Sequence, residues 1–181
     1  MTVPAPERMD ANAATLSDDE LARTSAALDI TWRDAPGLWG WLCAVDHKAI
    51  GRRYIITAFL MFVAGGIEAA IMRMQLARPE NTLVGPDKYN QLFTTHGTTM
   101  MFLFAVPIMT AMGIYFVPLM VGARSIAFPR LNAFGYWTYV VAVVFLYVSL
   151  FANTAPDVGW FAYVPLSGPQ YSPGHRVDVW A

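Results

Sequence analysis

Residues 97–123 read GTTMMFLFAVPIMTAMGIYFVPLMVGA, and no charged side chain interrupts the chain between His96 and Arg124. A helix crosses the hydrocarbon core of a bilayer in about 20 residues, so this stretch is long enough to span it. A second uncharged stretch runs from Arg130 to Asp157. The whole composition agrees: 56% of residues are hydrophobic and 14% charged, a balance that departs from a soluble domain and points to lipid. Only helices or closed barrels satisfy every backbone group in a bilayer. The sequence therefore predicts an all-α integral membrane protein with transmembrane helices at about 54–76, 89–121 and 134–154.

Working outward, residues 1–37 are polar and form an N-terminal extension, with Ser17 and Glu20 in a capping-box pattern that predicts a short helix. Residues 38–181 form the membrane part, opening on the apolar and aromatic Leu38, Trp39 and Trp41, as expected where a chain reaches a lipid interface. Met1 to Asp10 carry prolines and acids, not the positive and apolar regions of a secretory signal. Lys48, Arg52 and Arg53 precede the first span, and Arg124 and Arg130 separate the second from the third. All of them fall on one side, which the positive-inside rule makes cytoplasmic, with the N-terminus.

The formal net charge of −1 comes from loops and the tail, without a basic patch, so nucleic acid is not an expected partner. The single cysteine, Cys43, rules out an intrachain disulfide and reads as a small apolar residue. Two ionisable groups stand out inside the spans. Arg73 lies near the outer end of the first, and His96 lies about two turns inside the outer end of the second. Both are expected roughly 10 Å below the outer surface at 1.5 Å per residue. An unpaired charge at that depth costs about 2.5 to 3.5 kcal/mol on insertion scales, which makes both functional candidates.

Two readings of this pair stand side by side. In one, His96 donates to a backbone carbonyl between helices while Arg73 snorkels with Glu68 as partner. In the other, His96 is an axial haem ligand and the small Gly97, Thr98 and Thr99 let a flat macrocycle approach. His47 is expected at the interface in a solvated or capping role, and His175 in a turn. Histidines so dispersed do not assemble a copper or zinc site.

Ordered motifs add a resemblance. Val45-Asp46-His47-Lys48-Ala49-Ile50-Gly51 is followed by Gly65-Gly66-Ile67-Glu68, Arg73-Met74-Gln75-Leu76 and Tyr89-Asn90-Gln91-Leu92-Phe93-Thr94-Thr95-His96-Gly97. Val117-Pro118-Leu119-Met120-Val121-Gly122-Ala123, Ala127-Phe128-Pro129-Arg130-Leu131-Asn132 and Pro156-Asp157-Val158-Gly159-Trp160 complete the series. From about residue 40 onward the chain resembles the start of haem-copper terminal oxidase subunit I of the bacterial cytochrome c oxidase type. The resemblance implies the N-terminal part of a larger bundle of about twelve helices in a bacterial plasma membrane.

It also implies roles. His96 corresponds to an axial ligand of the low-spin haem (haem a), Arg73 to a contact at the edge of that haem, and Gly97 to packing beside it. The family passes electrons from cytochrome c, through copper on subunit II, to a high-spin haem and copper where oxygen is reduced, with coupled proton translocation. Subunits II and III are expected partners. The ligands of the oxygen site lie on later helices of the family, past Ala181, so these 181 residues are not expected to reduce oxygen alone.

The chain departs from the family in its proton-uptake stretch. Ser125 stands where the family has its entrance aspartate, and Ile114 stands in place of an asparagine. Of the polar residues in that entrance, Asn132 remains. A hydroxyl carries no charge near neutral pH and cannot gather protons as a carboxylate does. A divergent oxidase using another uptake route and a non-catalytic membrane fragment are the two readings that follow. At the positions where quinol-oxidising relatives hold a quinone, this chain has Ala64, Glu68, Lys88 and Gln91, and only the glutamine matches fully. Cytochrome c is therefore the expected donor.

Overall fold

The computed structural model describes residues 17–32 and 37–172. It is helical, and it divides into two compact units, Met1–Ala44 and Val45–Ala181. In the first, α1 (Asp18–Trp32) starts with the expected capping box: the Glu20 amide donates to Ser17 Oγ at 3.3 Å and the Ser17 amide to Glu20 Oε2 at 3.2 Å. A short α2 (Gly37–Cys43) follows, with Leu38, Trp39 and Cys43 exposed. His175 lies outside the described residues.

The second unit holds three helices long and apolar enough to cross a membrane: His47–Gln75, Pro86–Met120 and Pro129–Phe151. The first is α3 (His47–Gln75), which begins seven residues before the expected 54, because Asp46 caps it by accepting from the Lys48 amide at 3.2 Å. The second is α4 (Pro86–Thr98), a π-helical segment (Thr99–Ala105) and α5 (Val106–Met120) in one run. Proline opens this run at α4 and also α6 (Pro129–Phe151), where its missing N–H costs nothing. Two of the helix ends share a local solution. Gly122 and Asn153 take φ of +68° and +59°, and the amides of Ala123 and Thr154 donate back to Pro118 O and Ser149 O at 2.8 and 2.9 Å. That is the left-handed stop with a six-to-one bond.

The π segment has a local cause as well. Pro107 offers no N–H to the carbonyl of Leu103, four residues back. The Tyr139 hydroxyl, from α6, donates to that carbonyl at 2.6 Å, so the third span repairs the second. The Val106 amide reaches back to Met101 O, the five-residue step of a π turn.

Apolar clusters form three layers between the spans: Ile50, Tyr54, Ala111 and Tyr136; then Leu103, Val143 and Leu146; then Met72, Leu92, Leu150 and Ala155. Glycine sets the closest approach. A Cβ on Gly51 would stand 2.9 Å from Tyr115 Cβ, and one on Gly65 would stand 2.8 Å from Met100 Sδ. Facing outward, Phe59, Leu60, Val63, Ile67, Val141, Val144, Phe145 and Val148 remain exposed. Only 22%, 17% and 22% of the three apolar windows are buried, so these outer faces require lipid or further helices.

Two expectations at the Arg53 end are corrected. His47 is not solvated: it is 2% exposed, with Nδ1 3.3 Å from Asp46 Oδ1. Arg53 does not flank the span at the surface: it is 1% exposed inside it, its guanidinium carbon 6.0 Å from the Tyr136 ring centre. Both follow from the early start of α3, which carries these residues into the bundle.

Candidate haem-ligand site

His96 sits in the last turn of α4, ten residues into the second span. Its Nδ1 lies 2.9 Å from the carbonyl oxygen of Gly65 on α3. A carbonyl only accepts, so Nδ1 carries the proton and Nε2 keeps its lone pair. The contact depends on Gly65, whose missing Cβ admits the π segment: a Cβ there would also stand 3.4 Å from Thr99 Cγ2. Sequence reading allowed a backbone bond and a ligand role as alternatives; the geometry makes them compatible, since the bond fixes one nitrogen and frees the other.

The remaining residues are placed as follows. Arg73 is exposed, two residues before the end of α3, and eight residues past Gly65. At 1.5 Å per residue it is about 12 Å nearer the helix end than the His96 contact, so the expected common depth does not hold for the backbone. Glu68 is not its partner: Glu68 is 4% exposed and turns inward, where the Tyr147 hydroxyl of α6 faces its carboxyl. Tyr147 in turn lies 3.2 Å from Thr99 Oγ1.

Gly97 lies against a loop residue. A Cβ there would stand 2.7 Å from Trp160 Cδ1, so its bare surface receives the indole. The Gly159 amide donates to Thr94 Oγ1 at 2.8 Å. The segment after the third span is thus fastened to the His96 helix on both sides of the histidine. Thr98 and Thr99 are also occupied, by Thr94 O at 2.9 Å and by Tyr147. Trp160 and Gly65 could not be read in these roles from residue order, because each contact joins separate spans or a loop.

At the opposite end, Ser125 is exposed in the turn between α5 and α6. Asn132, in the first turn of α6, donates to Ala127 O and Phe128 O at 3.2 and 3.3 Å. Phe128 precedes the helix with φ of +54°, so this amide steadies a strained turn.

The residues at His96 fit an axial haem ligand: an imidazole held by a carbonyl at Nδ1, with Nε2 left for a metal. Comparison with known proteins gives the family. The family described as Cytochrome C and Quinol oxidase polypeptide I matches residues 49–181. The chain belongs to this family. Cytochrome c oxidase subunit 1 of Bacillus subtilis (strain 168) is 45% identical over 141 residues, 78% of this chain and 22% of that protein. Probable cytochrome c oxidase subunit 1-alpha of Streptomyces coelicolor is 44% identical, over 77% of this chain and 24% of that protein. Quinol oxidase subunit 1 of Bacillus subtilis is 41% identical, over 76% and 21%. This oxidase chain is thus a multi-pass membrane protein that spans less than a quarter of the length of these relatives, within the N-terminal part of subunit I.

Proposed function

We propose that this chain supplies the first axial ligand of the low-spin haem, haem a, to a cytochrome c oxidase. The His96–Gly65 bond carries the reading. Donation from Nδ1 raises the basicity of Nε2 and stops the ring from rotating, as is general for ligating histidines. When bound, the haem supplies reversible one-electron transfer. Arg73, on the outer side of the site, bears a positive charge on a long side chain that reaches back toward a haem edge and favours the reduced, more negative state.

The remainder of subunit I then contributes the second axial histidine, the high-spin haem and the copper. Subunits II and III complete the complex in a bacterial plasma membrane, the N-terminus of this chain being cytoplasmic. Proton translocation by such an enzyme uses a route that does not begin at Ser125. For the donor, cytochrome c is favoured over quinol. Relatives of both kinds match, but Gln91 is fully buried, Glu68 turns inward, and the Lys88 ammonium donates to the Leu150 carbonyl. These side chains are engaged within the bundle, which supports the cytochrome c reading.

The test is a reduced-minus-oxidised spectrum of membranes expressing the chain together with the rest of subunit I and its partner subunits. Low-spin haem bands present in the native protein and absent from His96→Ala support the ligand role; bands that survive in His96→Ala end it. In the same preparation Arg73→Met is expected to lower the midpoint potential of that haem in a redox titration, and an unchanged midpoint removes Arg73 from the role.

A further inference from the structure

We propose that the three spans enclose a binding site for water, formed by Glu68 of the first, Thr95 of the second and the Tyr147–Thr99 pair that joins the second and third. Glu68 is 4% exposed and Thr95 is 0% exposed. Neither carboxyl oxygen of Glu68, and not the hydroxyl of Thr95, has a hydrogen-bond partner in the protein. The Tyr147 hydroxyl faces the Glu68 carboxyl without closing a hydrogen bond to it, while sitting 3.2 Å from Thr99 Oγ1.

Thr95 is the more telling residue. Its neighbours Thr94 and Thr98 bond back to the carbonyls of Asn90 and Thr94, both at 2.9 Å, the usual refuge of a threonine inside a helix. Thr95 does not take that refuge. Thr95 and Thr99 are four residues apart and share a helix face. Gly65 meets the Thr99 methyl, and Glu68 lies one turn outward of Gly65 on α3, so in the antiparallel pair Glu68 comes level with Thr95.

Both groups are already enclosed within this chain, Glu68 at 4% and Thr95 at 0% exposed. Arg73 is exposed nearer the helix end, and Lys88 is directed to Leu150 O. A buried carboxyl without a hydrogen bond is costly in either protonation state. A water molecule, with two to four hydrogen bonds, would give partners to the Glu68 carboxyl and the Thr95 hydroxyl. The site would lie one helical turn from the carbonyl that holds His96.

The deciding experiment is a density map of the assembled oxidase at a resolution that shows ordered water on other internal polar groups. Expected is density within hydrogen-bonding distance of both Glu68 and Thr95 Oγ1. A carboxyl bonded directly to a protein group, with no density between it and Thr95, overturns the proposal. A Glu68→Gln variant should keep the water, and a Glu68→Leu, Thr95→Val double variant should lose it; density persisting at the same place in the double variant also overturns the assignment. The low-spin haem bands of the same preparations report on His96 separately, so failure of either reading is visible on its own.

Discussion

The two ends of the three-span bundle solve the same problem, polar groups inside lipid, in opposite ways. Toward the Arg53 end, hydroxyls pair with what the protein offers: Thr57 with Tyr136 at 3.0 Å, Tyr139 with the carbonyl that Pro107 orphans, and the Tyr54 ring stacked 5.5 Å from Tyr139. Toward the Arg73 end, His96 is tied at one nitrogen, while the Glu68 carboxyl and the Thr95 hydroxyl close no hydrogen bond in the protein. The first set of hydroxyls is paired and serves packing, although the buried His47 Nε2 at that end has no hydrogen-bond partner in the protein. The second leaves groups available, and availability is what a cofactor or solvent molecule requires.

This contrast predicts different consequences for similar changes. The largest is His96→Ala, which should abolish the low-spin haem bands entirely, with membrane insertion intact by protease protection of the loops. The glycines come next. Gly51→Ala and Gly97→Ala each force a Cβ to within 3 Å of a neighbour that is not the free end of a flexible chain, Tyr115 Cβ and the Trp160 ring. Each should destabilise the assembled protein by about 1 to 3 kcal/mol, the usual range for overpacking. In thermal unfolding both should register, but only Gly97→Ala should also shift the haem spectrum, since Trp160 rests beside the ligand. An equal spectral shift in Gly51→Ala would break the comparison.

Tyr139→Phe should have a smaller effect, about 1 kcal/mol, by leaving the Leu103 carbonyl without its donor. It should appear as a lowered unfolding midpoint, with the haem midpoint potential unchanged. Smallest of all is Ser125→Ala, for which oxygen consumption by the assembled enzyme should remain as it was. A marked fall would return Ser125 to the proton route and show that an exposed hydroxyl in that turn does more than its chemistry suggests.

Much of the fold was legible because apolar runs in a bilayer admit few alternatives. The three spans, the capping box at Ser17 and the candidate His96 all came from residue type and spacing. The start of the first span did not, since Lys48, Arg52 and Arg53 read as a basic flank. Asp46 is a local cap signal that the basic flank outweighed, whereas the burial of Arg53 against Tyr136 depends on a neighbour a linear reading does not see. The contact of Gly97 with Trp160 was not legible for the same reason: a small residue shows that something comes close, without saying what.

By itself the sequence determined that this is a membrane protein of the oxidase family, because hydropathy and ordered motifs are local properties that survive without coordinates. Only the tertiary structure decided how His96 is held, which side of the first span Glu68 faces, and that Trp160 lies on Gly97. Those facts are set by helix rotation and register, where a 100° turn per residue moves a side chain from lipid to the interior, and no local pattern fixes that angle in a span that is apolar on all sides.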